Sequence, residues 1–183
     1  MADSISRQFA RWAAGLTYDD LPPEVVDKVK ALILHGLTGA VLGAATTHGK
    51  EAVHLTKAEE GKPDGATILT DGSKATRIGA TFAGSELIHS SLLFDSYRML
   101  THPGPVLVPA AMVNAELEQK SGDDVITALA AGYEFLFRLC DDFIPSTAAR
   151  GFRPSPLYCT RGAAMVTGKL MGLDENGMVA TIA

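Results

Sequence analysis

The sequence predicts an all-α protein, an irregular array of several helices with at most a small β-hairpin near residues 66–73. Two observations predict it. Apolar residues recur at three- and four-residue spacing through most of the chain. Proline, glycine and short polar residues fall between those segments, where helices start and stop. The only stretch that reads as extended is residues 66–70, closed by the Asp71-Gly72 turn.

In order, the first helix begins at Asp3 or Ser4, either of which can cap it, and carries Ile5, Phe9, Trp12 and Ala13 on one face. Gly15 and the turn at residues 17–20 end it. Leu21-Pro22-Pro23-Glu24 opens the second, with proline where its missing amide does no harm. Gly36, Gly39 and Gly43 inside this helix each cost about 1 kcal/mol relative to alanine, so a neighbouring helix is expected to pass close by. A third helix follows residue 49, with Ala52, Val53, Leu55 and Ala58 inward. Residues 59–65 read as loop, and a fourth helix runs from about Ser73 to Leu87 with Ile78, Phe82, Leu87 and Ile88 inward. Further helices are expected over residues 106–120, 124–140 and 158–170, with Gly122 ending the first of these and aspartate capping the second. A proline-bearing loop spans residues 141–156, and a last helix, capped by Asp174, still runs at Ala183.

Composition narrows the function. At 183 residues and 46% hydrophobic, the chain can bury a core and is not disordered. It reads as a single helical domain over residues 1–183. Its net charge of −5 is interspersed, with no basic stripe, which argues against nucleic acid. Cys140 and Cys159 are far apart and in no CxxC pattern, so two buried thiols of a reducing compartment are expected. The N-terminus lacks the layout of a secretory signal. The most apolar run, residues 31–45, falls short of the roughly 18 residues of a membrane span. A cytoplasmic protein without membrane partners is expected.

Chemistry concentrates in residues 89–109. Two of the five histidines, an acid, a hydroxyl pair, a tyrosine and an arginine lie there between apolar helices, and buried polar groups are costly unless solvated, paired or used. His102-Pro103-Gly104 makes a sharp turn before a helix start, where partial positive charge favours anions. A histidine there could exchange a proton with a carboxylate substrate, or serve as turn glue. Asp95 and Ser96 can orient it or cap the next segment. Tyr97 and Arg98 can clamp a carboxylate, or Arg98 can be a solvated loop residue. The spacing of His89, Asp95 and His102 fits no common metal motif, so no metal is expected. Arg150, Arg153 and Arg161 form a second arginine-bearing stretch, either an anion-facing surface or a charged loop. Glu134 and Arg138 should pair on one helix face, and His35 should be a hydrogen-bonded core histidine. No Walker loop, GxGxxG, HExxH or GxSxG occurs.

With these residues in hand, the chain resembles the MmgE/PrpD family of 2-methylcitrate dehydratase-like enzymes. The likeness rests on Asp20-Leu21-Pro22 with the following helix, Phe94-Asp95-Ser96, His102-Pro103-Gly104 and Pro109-Ala110-Ala111. It continues through Gly132-Tyr133-Glu134 with Arg138, and residues 169–173. The resemblance implies a helical domain sharing an active site with a second, α+β domain. It also implies proton transfer next to a carboxylate of a small di- or tricarboxylate, by a lyase of hydratase or dehydratase type or by an isomerase, without a cofactor. In that pattern Asp95, Ser96 and His102 line the site and are the expected catalytic residues; the chemistry of the residues themselves makes Arg153, Arg98, Tyr97 and His89 the expected substrate-binding ones. The chain departs from the pattern at Leu92 and Phe94, where the family has aspartates, at Arg153, where a histidine is usual, and at His35, where an aspartate is usual. These departures favour a di- or tricarboxylate other than 2-methylcitrate or cis-aconitate. Family enzymes are more than twice this length, so the chain is expected to be an incomplete half of the fold. It would work as a homo-oligomer or with a complementing C-terminal-half subunit. The competing expectation is a catalytically silent helical assembly subunit.

Overall fold

The computed structural model describes residues 4–98 and 101–182; Asp3, Met99, Leu100 and Ala183, which fall within the expectations above, lie outside the described residues. In order, the elements are α1 (Ile5–Gly15), a 3-10 turn (Tyr18–Asp20), α2 (Pro23–Gly43), α3 (Thr47–Glu59), β1 (Gly61–Thr67), β2 (Lys74–Ala75), α4 (Arg77–Ser90), α5 (Gly104–Leu117), α6 (Gly122–Cys140), α7 (Ile144–Ala149), α8 (Pro154–Leu170) and α9 (Glu175–Ile182). The fold is all-α with one small antiparallel hairpin.

Short polar side chains set the helix starts. Ser4, Thr46, Thr76 and Ser121 accept from the amides of Arg7, Gly49, Gly79 and Asp124 at 3.0–3.2 Å, relieving amides that have no partner within the helix. Asp124 returns a bond to the Ser121 amide, completing a capping box. The cap of α6 is therefore Ser121, not an aspartate, and Gly122 is its first residue rather than the end of α5. The left-handed residue there is Gln119 (φ 52°).

Helix α6 is the axis of the main core. Leu129, Ala131 and Leu136 are fully buried, and the helix packs on α8, α5 and α2. Where α6 crosses α8, a Cβ on Gly132 would lie 2.4 Å from Val166 Cγ2. The glycines of α2 do allow close approach, as expected: a Cβ on Gly43 would sit 1.7 Å from the Leu87 carbonyl oxygen of α4. Close crossings of this kind place α4 and α5 rigidly around the loop that joins them.

Several boundaries and faces differ from expectation. Residues 61–65 are strand rather than loop; Ala66 lies opposite Ala75 and Thr67 opposite Lys74. Glu116 of α5 takes the Thr67 amide and hydroxyl, each at 2.7 Å, and pairs with Lys74, so the hairpin is tied down by tertiary bonds that local propensity does not encode. Leu55 and Ala58 of α3, and Ile78 and Phe82 of α4, point outward, while small residues (Ala52, Gly79, Ala80, Ala83) face inward, because the helices approach too closely for bulky ones. Helix α8 begins at Pro154, α5 at Gly104, α4 at Arg77, and the loop of residues 141–156 contains α7. Glu134 and Arg138 pair as expected, and both cysteines are buried free thiols. His35 is half-buried, but its buried Nε2 has no partner, against the expected hydrogen bond. Among the described residues no single helix is long and apolar enough to cross a membrane; α2 and α3 pass that test only as a pair bent by 91°.

Candidate functional site

Residues 91–103 join α4 to α5, and three attachments fix their path. Ser91 Oγ donates to the Ile88 carbonyl and accepts from the Leu93 amide. Leu92 between them is 78% exposed and left-handed (φ 58°), a conformation that costs a leucine energy. Further on, Tyr97 and Thr101 exchange backbone bonds of 2.8 and 3.2 Å, closing a turn that holds Arg98 at φ 50°. Tyr97 stacks on Phe137 of α6 at 4.1 Å, and its hydroxyl and the Arg98 guanidinium both donate to Asp141, each at 2.6 Å. Those two donors pull the Asp141 carboxyl below its ordinary pKa.

The third attachment is Asp95, all of whose oxygens are engaged. Oδ1 accepts from the Gly104 amide, the first of α5, at 2.7 Å, and Oδ2 accepts from the Tyr133 hydroxyl at 2.7 Å. Tyr133 rises from α6 into the core, and its phenol is pushed well above its ordinary pKa, first by burial and then by the Asp95 charge, so it remains a donor. A Cβ at Gly104 would lie 2.7 Å from Asp95 Oδ1, so only glycine leaves room for this carboxylate. The Asp95 carbonyl oxygen lies 3.0 Å from His102 Nδ1. A carbonyl can only accept; Nδ1 therefore carries a proton, and in the neutral ring Nε2 is the nitrogen that holds the lone pair. The His102 amide donates to Ser155 Oγ at 3.0 Å, tying the loop to the start of α8. The His102 ring also packs on Phe94 (4.4 Å), which in turn stacks on His89 (5.4 Å).

This loop separates two cavities. A small cleft of about 270 Å³ is lined by His89, His102 and Arg153 together with Ser85, Glu86 and Ser155. A large groove of about 920 Å³ on the other side is lined by Asp95, Ser96, Tyr97 and Tyr133, by apolar residues of α1, α2 and α6, and by Asp20, Glu24, Lys28, His35 and Glu134. The sequence-predicted residues are thus divided. His89, His102 and Arg153 share the cleft, Asp95, Ser96 and Tyr97 line the groove, and Arg98 lines neither, being engaged with Asp141. Asp95 orients His102 through its main chain, not its carboxylate. Sequence reasoning missed Glu86, Ser155, Tyr133 and the steric demand at Gly104. Glu86 could have been found, because it lies three residues before His89 and so on the same helix face.

The cleft sits where two helices begin, with Pro105 and Val106 of α5 and Ser155 and Pro156 of α8 in its wall, which gives it partial positive charge. Arg153, at the cap of α8, has no ion-pair or hydrogen-bond partner among the described residues. Burial pushes Cys159, beside the His102 carbonyl, up to about 12, so it is not a nucleophile here. Among the described residues no group of three or more His, Cys, Asp or Glu is placed to hold a metal ion.

Fold and site together define a helical domain with a histidine- and arginine-bearing cleft at the junction of two helix starts. The chain belongs to the MmgE/PrpD family: residues 7–183 match the MmgE/PrpD N-terminal domain. It is 29% identical over 181 residues to cis-aconitate decarboxylase of Aspergillus terreus, covering 95% of this chain and 37% of that protein. It is 23% identical over 183 residues to a cis-aconitate decarboxylase-like protein of Aspergillus oryzae, covering 94% of this chain and 38% of that protein. The chain therefore spans less than two-fifths of the length of these relatives.

Proposed function

We propose that the chain is the helical part of an MmgE/PrpD-type lyase, of hydratase or dehydratase type, that moves a proton at the carbon beside a carboxylate of a small di- or tricarboxylate. The observation that carries this reading is the shared cleft of His102, with Nδ1 bonded and Nε2 free, and the unpartnered Arg153. Arg153 holds a carboxylate through its two-pronged guanidinium, and the starts of α5 and α8 add to the attraction. His102 Nε2 takes the proton of the carbon beside the carboxylate, and the C–H electron pair forms the double bond as the C–O bond at the next carbon breaks. The departing hydroxyl takes the proton from Nε2 and leaves as water. Asp95, Tyr133 and Ser155 hold the imidazole in place, and Ser96, on the other face of the loop, has no direct part. The likeness to a cis-aconitate decarboxylase supports a polycarboxylate. Arg153, where a histidine is usual, removes one proton carrier and adds a fixed charge, which favours a different substrate from that relative's. A complementing chain or a second copy completes the cleft on its open side.

The test is solvent deuterium uptake, followed by NMR, across a panel of di- and tricarboxylates, with any partner that co-purifies retained. Exchange at the carbon beside a carboxylate, lost in His102→Ala at unchanged helicity, is the expected result. No exchange and no turnover with any compound overturns the reading.

A further inference from the structure

We infer that Glu86 selects the substrate, admitting a dicarboxylate that presents a hydroxyl or ammonium group and rejecting a tricarboxylate. The inference rests on the proposed function of this cleft and narrows it. Glu86 lies on α4 and lines the same 270 Å³ cleft as His89, His102 and Arg153. It is half-buried, and it has no hydrogen-bond or ion-pair partner among the described residues. Arg153, an exposed residue, is likewise without a partner among the described residues, so the two groups line one cleft without pairing. The side chains that line the cleft thus include one guanidinium, one carboxyl group and two imidazoles.

A ligand that satisfies both must be bipolar. One carboxylate goes to Arg153, and a hydrogen-bond donor goes to Glu86. A second carboxylate can leave through the open side of the cleft, but a third has only the Glu86 end, where like charges repel in a space of a few ångströms. Rejection by a fixed repulsive group is a common way to set specificity when attraction alone cannot separate similar anions. No other side chain of the cleft supplies it: Ser85, Ser155 and Thr160 are neutral, and Pro105, Val106 and Pro156 are apolar.

The experiment compares the wild-type chain, with any co-purifying partner, against Glu86→Gln by titration calorimetry with malate and with citrate. Asp64→Asn, an exposed change in the hairpin, controls for the general loss of one negative charge. The expected result is that Glu86→Gln tightens citrate about tenfold or more and leaves malate unchanged or weakened, while Asp64→Asn changes neither by more than twofold. Equal tightening of both ligands, or none of citrate, overturns the role of Glu86 while leaving the cleft as a carboxylate site. If neither protein binds either compound, and Arg153→Ala also changes nothing, the cleft is not a carboxylate site and both readings fall together.

Discussion

The two cavities on either side of residues 91–103 differ in more than size. In the groove Asp95 is held by Gly104 and Tyr133, and Tyr97 by Asp141, while Ser96 has no side-chain hydrogen bond among the described residues. In the cleft Glu86 and Arg153 have no partner among the described residues, and His102 is bonded at one ring nitrogen only. A satisfied buried network rigidifies, whereas unpartnered charge in a small concave space is free to engage a ligand. On the proposed function, the groove side of the loop is the scaffold and the cleft side is the working face.

The largest expected effect separates those faces directly. His102→Ala removes the only ring in the cleft held by the main chain of Asp95, and turnover should fall by about 10²–10⁴. Ser96→Ala, on the groove side, should stay within about twofold. Steady-state kinetics on both variants measures the contrast, and equal losses would erase the distinction.

Next is Gly104→Ala, whose methyl must displace the Asp95 carboxylate. An overpacked site of this kind costs about 1–3 kcal/mol, and because the displaced group also fixes His102, activity should fall along with the urea midpoint. Tyr133→Phe should cost about 1–2 kcal/mol by leaving Asp95 Oδ2 short of a donor. It should leave the His102 Nδ1 bond intact, so the imidazole resonances in two-dimensional NMR should keep their tautomer pattern. A tautomer change there would mean that the carboxylate, not the carbonyl, governs the ring.

Leu92→Asn relieves a left-handed leucine and should raise stability by about 1 kcal/mol, seen as a higher urea midpoint, without altering turnover. The smallest effect is on acidity. The Asp141 carboxyl is held below its ordinary value by Tyr97 and Arg98. Its contribution is therefore fully present above the unfolded value, near 3.8, and is lost as pH falls through the lower folded value. Asp141→Asn should flatten the stability–pH curve in that acid window and lower it at neutral pH, where the Asp141 contribution is fully present, without changing its slope there.

How much of this was legible in the sequence depended on how local the cause was. Ser4, Asp174 and the proline opening of α2 act within one turn, and the helix starts were read correctly from them. The small-residue stripe of α2 also carried its meaning, since a glycine in a helix needs a neighbour to offset its cost. The inward faces of α3 and α4 were legible in part: Ala52, Leu87 and Ile88 are buried as expected, while Leu55, Ala58, Ile78 and Phe82 are exposed and Gly79, Ala80 and Ala83 face the core. For the candidate site, titratable residues set between apolar helices pointed to the loop and to His102, and His102 does line a cleft. The division of that loop into two faces was not legible, because it depends on Tyr133 and Ser155, which arrive from α6 and α8. Glu86 went unread because an isolated acid on a helix looks like any solvated one until the opposite wall is known.

The bond between His102 Nδ1 and the Asp95 carbonyl has one more consequence. The donor is a side chain, but the acceptor is an atom that every amino acid possesses. A substitution at position 95 leaves that atom in place; the bond is lost only through a change in the path of the chain. The protonation pattern of the imidazole is thus governed by the path of the chain, which the Asp95 carboxylate and the residues that meet it fix. Variation at Gly104, Tyr133 and Ser155 is where a lineage carrying this loop would lose or retune its histidine.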